Sequence, residues 1–99
     1  MWKAVALLGL MASPAIAQDA EEIARCASYG SLAAEIMKHR QNGVAMSEIL
    51  GVLGDDEDEE KAMVLEAFDL ARFHSPSGKN RAVEDFRADI EVRCFRSKK

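Results

Sequence analysis

Apolar side chains recur every three or four positions between residues 19 and 41, which is the spacing of one face of an α-helix. Acidic residues lie in its predicted first turn and basic residues in its last turn, as the helix dipole favours. Asn42 and Gly43 then supply a left-handed C-terminal cap, and Val44 is placed for the hydrophobic contact that accompanies such caps. The pattern therefore predicts a first amphipathic helix that ends at this cap. Its apolar face comprises Ile23, Cys26, Ala27, Gly30, Ala33, Ala34 and Met37.

Gly30 lies inside this predicted helix, where a glycine costs up to about 1 kcal/mol. It marks either a close approach by another helix or a kink. Because Gly30 falls on the apolar face, the close approach is the simpler interpretation.

Three more helices are predicted by the rest of the chain. Ser47 is a good N-cap for a short second helix, which a glycine ends. A third helix starts in the acidic run at residues 55–60, with Asp56 as its cap, and extends to about Phe73. The Ser-Pro-Ser-Gly turn at residues 75–78 separates it from a fourth helix. The apolar stripe of that fourth helix comprises Val83, Phe86, Ile90 and Cys94.

The acidic run is also a candidate calcium ligand set. It lacks the alternating ligands, the central glycine and the late glutamate of an EF-hand loop. Carboxylates at a helix start are stabilised by the helix dipole. We therefore interpret the run as a helix start and predict no metal site and no cofactor.

The fold class predicted by these patterns is all-α, a small bundle of three to four helices in one domain at residues 18–99. Cys26 on the first helix and Cys94 on the last both fall on apolar faces. Two cysteines in an exported chain are interpreted first as a disulfide, which here would close most of the chain into one loop. Zinc binding and C-x-x-C redox chemistry are disfavoured, because no second cysteine or histidine lies at ligand spacing.

Export is predicted by residues 1–17. Lys3, an apolar run, Pro14 and an Ala-Ile-Ala triplet together are typical of a secretory signal peptide cleaved after Ala17. The apolar run is about half of the roughly twenty residues that a membrane anchor needs. A lipoprotein would need a cysteine at the cleavage site, and Cys26 lies too far along the chain. The predicted location is the periplasm or the extracellular medium, with no stable membrane span after cleavage.

The charge of the chain excludes some partners. It has 13 Lys and Arg against 17 Asp and Glu, a net charge of -4. An acidic protein of this kind is not expected to bind nucleic acid or an anionic membrane.

Residues that could support catalysis are few. His39 and His74 are the only imidazoles, and both fall at predicted helix ends. Ser28 and Ser31 have no histidine at a spacing that suggests a catalytic pair. Because a glycine-rich phosphate loop is also absent from the sequence, we predict that the protein is not an enzyme.

Some apolar residues do not belong to any predicted core stripe. Ala88, Val92 and Phe95 share the opposite face of the fourth helix, and Leu65 lies off the stripe of the third. Either the fourth helix is buried on both sides, or these residues form an exposed surface for self-association or partner docking. The Arg-Gln pair at residues 40–41 could bind a carboxylate. The candidate partner surface is therefore Leu65, Ala88, Val92, Phe95, Arg40 and Gln41.

The segment R-Q-x-G-V-x-M-S at residues 40–47 resembles a group of short exported proteins of proteobacteria and their phages, a group without an assigned activity. The acidic run is not part of that pattern. The resemblance implies a small helical fold and a prophage origin, and it carries over no catalytic residue. The residues that share it outside this segment are Cys26, Leu32, Ala33, Ile36, Met37, Ala82, Val83, Phe86 and Cys94.

Two functions of different classes fit the sequence. The first is a binding module that docks on another envelope protein as an inhibitor, an immunity factor or an accessory subunit. The alternative is a periplasmic stress chaperone of the acid-stress type, which is also short, helical and held by one disulfide. The placement of the cysteines differs from that of those chaperones and favours the first hypothesis.

Overall fold

The computed structural model describes residues 13–53 and 58–97, and within these ranges the chain forms four α-helices and no strand. The predicted all-α fold is confirmed. The helices are α1 (Ser13–Gln41), α2 (Met46–Leu53), α3 (Asp58–Asp69) and α4 (Pro76–Arg96).

Among the described helices, α1 and α4 make the most extensive contact, and they run antiparallel. Cys26 in α1 is bonded to Cys94 near the end of α4, with the two Cα atoms 5.5 Å apart. At the opposite end, Gln41 of α1 hydrogen-bonds the backbone of Phe73, shortly before α4 begins. The predicted disulfide between the first and last helices is therefore confirmed, and the pair is held at both ends.

The hydrophobic core lies where α3 packs against this pair, with α2 packed mainly on α3. On α4 the predicted stripe is confirmed, because Phe86, Ile90 and Cys94 are buried and Val83 packs against the core. Each large apolar side chain buried in this way stabilises the fold by about 1.5–3 kcal/mol. The core residues are Ala33, Ile36, Met37, Ile49, Met63, Val64, Ala67, Phe86 and Ile90.

Gly30 marks a close approach, as the sequence predicted. It is buried within an unbroken α1, and a Cβ atom at this position would lie 2.6 Å from Cγ of Glu91 in α4. Glu91 is held in place by an ion pair with Arg87 at 3.3 Å. The missing side chain thus makes room for a carboxylate of the neighbouring helix.

The end of α1 has the predicted glycine cap. Gly43 has a φ of +87°, and its N–H donates to the carbonyl of Arg40 at 3.1 Å. The N–H of Val44 donates to the carbonyl of His39 at 3.0 Å, which completes a Schellman motif. Val44 also packs against the core, which confirms its expected hydrophobic contact.

The predicted start of α2 is wrong. The helix begins at Met46, and the carbonyl of Ala45 accepts hydrogen bonds from the N–H groups of Glu48 and Ile49. Ser47 therefore lies inside the first turn and is not the N-cap. The chain enters α2 two residues earlier than predicted, shortly after Val44, which packs against the core.

Helix α1 begins earlier than predicted, at Ser13 instead of Asp19. Pro14 is compatible with this start because a proline in the first helical turn removes an N–H that has no helical partner. No acidic residue lies in the first turn as a result. Most of the predicted signal peptide falls on residues 1–12, which lie outside the described residues.

Helix α3 begins within the acidic run, as predicted, with Asp58, Glu59 and Glu60 in its first turn. The predicted cap Asp56 lies outside the described residues. The carboxylate of Glu59 also accepts a hydrogen bond from the Tyr29 hydroxyl at 2.7 Å, which ties the start of α3 to α1.

Candidate functional site

The two sulfur atoms lie inside the fold. Cys26 has no exposed surface and Cys94 is 9% exposed. The guanidinium Nη1 of Arg25 lies 3.7 Å from Sγ of Cys94 and covers it from the outside. This arrangement suits a structural crosslink.

Half of the six predicted partner residues lie on the outer surface of α4. Ala88, Val92 and Phe95 are all exposed, Val92 by 45% and Phe95 by 39%. The interpretation in which α4 is buried on both sides is therefore wrong, because no described helix covers this side. We call these three residues the outer α4 face.

Ion pairs of Arg93 lie between the outer α4 face and α3. The guanidinium of Arg93 pairs with Glu66 of α3 and, at 2.8 Å, with Asp89 of its own helix. The hydrogen bond to Glu66 is the main reason that the pKa of Arg93 is raised above its ordinary value. Because arginine is already charged at physiological pH, this shift gives the contact no pH dependence there.

Leu65 is exposed on α3, as expected for a residue off the core stripe. Among the described contacts, none joins it to the outer α4 face. Leu65 lies on α3 and is therefore not part of the outer α4 face.

Gln41 is the one buried polar residue among the described side chains, with 1% of its surface exposed. Its Nε2 donates to the carbonyl of Ala71 at 2.8 Å, and its Oε1 accepts from the N–H of Phe73 at 2.7 Å. The sequence grouped Gln41 with the partner surface. The structure places its amide inside the fold, bonded to the segment between α3 and α4.

Arg40 also attaches α1 to the end of α3 and to the residues that follow it. Its Nη2 donates to the carbonyl of Leu70 at 2.9 Å, and its guanidinium lies 4.9 Å from the centre of the Phe68 ring. The Nε atom is buried without a hydrogen-bond partner. Arg40 is thus half-buried and engaged within the chain.

These contacts explain why α3 ends at Asp69, although the sequence predicted a helix to about Phe73. The N–H of Phe73, which would bond the carbonyl of Asp69 in a continued helix, instead bonds Gln41, and the carbonyls of Leu70 and Ala71 accept from Arg40 and Gln41. Both partners lie thirty or more positions earlier in the chain. No local pattern could have shown this.

The two imidazoles do not face a common site. His39 lines a groove between α1 and α2. His74 lines a different groove of about 830 Å³, between the end of α1 and the start of α4, together with side chains of both charges. Ser28 and Ser31 are exposed on α1.

The groove that His39 lines was not predicted. It has a volume of about 550 Å³, and the described residues that line it belong to α1, to α2 and, with Val44, to the turn between them. Val52 of α2 is 86% exposed at this groove. The sequence did contain a signal for this exposed apolar surface. Positions 49, 50, 52 and 53 are all apolar, which is too many for one face of so short a helix.

Within residues 13–53 and 58–97, no helix is long and apolar enough to cross a membrane. In the same part of the chain, no three His, Cys, Asp or Glu side chains are close enough to hold a metal ion. Comparison of the chain with models of known protein families, with curated proteins and with solved structures found no match.

Proposed function

We propose that this protein is an exported binding module, which docks on another protein of the periplasm or cell envelope as an inhibitor, an immunity factor or an accessory subunit. The outer α4 face carries the proposal. Single exposed apolar residues are common, but Ala88, Val92 and Phe95 lie together on one side of one helix. Such a surface is suited to contact with another protein.

The way in which α4 is held supports docking. The disulfide at Cys94 fixes the end of α4 to α1, and Gln41 fixes the segment just before its start. A surface on a helix held at both ends loses little conformational freedom on binding. The outer α4 face is therefore preorganised for a partner.

Three features support the envelope as the compartment. Disulfides persist in oxidising compartments, and the Cys26–Cys94 bond links the two longest helices of the described chain. The predicted signal peptide and the resemblance of residues 40–47 to exported proteins of proteobacteria and phages agree with export and with a prophage origin.

The proposal is tested by affinity capture of the oxidised protein from the native envelope, with partners identified by mass spectrometry. We expect one stoichiometric partner, which Phe95→Asp no longer captures while its helical signal is unchanged. Ile23→Asp is the matched control, because Ile23 is an apolar residue that is 56% exposed on α1 and is not part of the outer α4 face. This variant should capture the partner normally.

Equal capture by Phe95→Asp and the unmodified protein would reject the outer α4 face as the docking surface. Capture of many proteins, together with suppression of client aggregation at acid pH in a light-scattering assay, would instead support the acid-stress chaperone.

A further inference from the structure

The groove between α1 and α2 is a second apolar surface, and none of its lining residues belongs to α4. We call it the α1–α2 groove. Val52 is the most exposed large apolar side chain among the described residues. A Cβ atom added at Gly51, which also lines the groove, would meet nothing within 4 Å, so the groove is open at this position as well. The apolar residues of the groove are Leu32, Ile36, Val44, Ile49, Val52 and Leu53.

Carboxylates lie on both helices that border this apolar surface. Glu35 lines the groove from α1 and Glu48 from α2. Glu35 is paired with Lys38 at 3.3 Å, whereas Glu48 forms no ion pair within the described residues. His39 is the only basic side chain among the lining residues. The groove therefore combines an apolar floor with two rim carboxylates, of which Glu48 carries a charge that no described ion pair compensates, while the exposed pair of Glu35 with Lys38 is of the kind that contributes little and can exchange its partner.

We propose that the α1–α2 groove binds an amphipathic, basic segment of a partner protein. Apolar side chains of that segment would contact Val52 and Ile49, while its lysine or arginine side chains would lie near Glu35 and Glu48. The inference rests on the proposed function and adds the chemistry of the partner. Opposite charge at the rim attracts such a segment and excludes acidic ones.

A second copy of this chain fits the groove less well. In a twofold symmetric pairing the groove of one copy would meet the groove of the other, so the carboxylates of Glu35 and Glu48 would lie on both sides of the contact. Like charges brought together at an interface weaken it. The rim thus favours a basic partner over self-association.

The test uses a short helical peptide in which leucine forms one face and lysine the other, and a matched peptide with glutamate in place of lysine. Binding to the oxidised protein is measured by isothermal titration calorimetry at several salt concentrations. We expect the lysine peptide alone to bind, with an affinity that falls as salt screens the rim carboxylates.

Three variants locate the binding. Val52→Ser should weaken binding of the lysine peptide about tenfold or more, because an apolar side chain is lost from the contact. Glu48→Gln should weaken it several-fold at low salt and reduce the salt dependence. Leu65→Ser is the matched control and should bind normally, because Leu65 is 47% exposed but does not line the groove. Circular dichroism verifies that each variant keeps its helices.

The inference is overturned if the lysine peptide does not bind, if the glutamate peptide binds equally well, or if Val52→Ser binds as the unmodified protein does. A dimer that dissociates in Val52→Ser would assign the groove to a second copy instead. Phe95→Asp should bind the peptide normally. Because the peptide assay needs neither the native partner nor the outer α4 face, its failure and a failure of envelope capture are separate results.

Discussion

The side-chain amide of Gln41 occupies the place of a helical hydrogen-bond partner at the end of α3. Its two hydrogen bonds satisfy the carbonyl of Ala71 and the N–H of Phe73, the second of which would bond Asp69 if α3 continued. A buried amide is stable only when its donors and acceptors are paired. Gln41 therefore acts as a structural link between α1 and the segment that leads into α4.

At this residue we predict that Gln41→Met destabilises the protein by about 1–3 kcal/mol, because methionine fills a similar volume and leaves the two backbone groups unpaired. Urea unfolding followed by circular dichroism measures the change. Lys38→Met, three residues earlier and 55% exposed, is the control and should change stability by less than about 0.5 kcal/mol. Equal effects of the two substitutions would contradict the structural role of the amide.

At the scale of the helices, two glycines have opposite roles. Gly43 has a positive φ and forms the cap between α1 and α2. Gly51 is an ordinary residue inside α2, with open space around it. The cap of α1 therefore depends on Gly43, whereas Gly51 weakens α2.

The same substitution should consequently change stability in opposite directions at these two positions. Gly43→Ala should destabilise the protein by about 1–2 kcal/mol, because an alanine in the left-handed region is strained. Its Cβ atom would also lie 2.8 Å from Nη2 of Arg72. Gly51→Ala should stabilise it by about 0.5–1 kcal/mol through helix propensity and a less flexible unfolded chain. Thermal melting of both variants decides, and a shift of the melting temperature in the same direction for both would refute the assignment.

For the whole molecule, the disulfide determines how the long helices stay together. Cys26 and Cys94 are 68 positions apart, so the bond closes most of the chain into one loop. A crosslink over such a loop stabilises a protein by about 4 kcal/mol in the chain-entropy model. That is a large share of the stability that a chain of 99 residues can have.

Cys94→Ser should therefore lower the melting temperature by about 15 °C or more under oxidising conditions. Under reducing conditions the variant and the unmodified protein should melt within a few degrees of each other, since neither then has the crosslink. A variant that melts like the oxidised protein would show that the core alone holds α1 and α4 together.

The sequence alone determined the features that depend on neighbours within about one helical turn. Periodicity identified four helices, and the buried stripe of α4 placed Cys94 where it meets Cys26. Gly43 marked the end of α1 because only a glycine adopts its φ without strain. These signals are local, so they are readable without knowledge of the fold.

Tertiary structure decided whatever depends on residues far apart in the chain. The end of α3 was predicted too late, since the buried amide of Gln41 bonds backbone groups about thirty positions away. Exposure of the outer α4 face follows from the number of helices around α4, and the openness of Val52 follows from how α2 packs on α1 and α3. Periodicity shows which residues share a face of a helix, but only the packing of the helices determines which faces remain free to bind a partner.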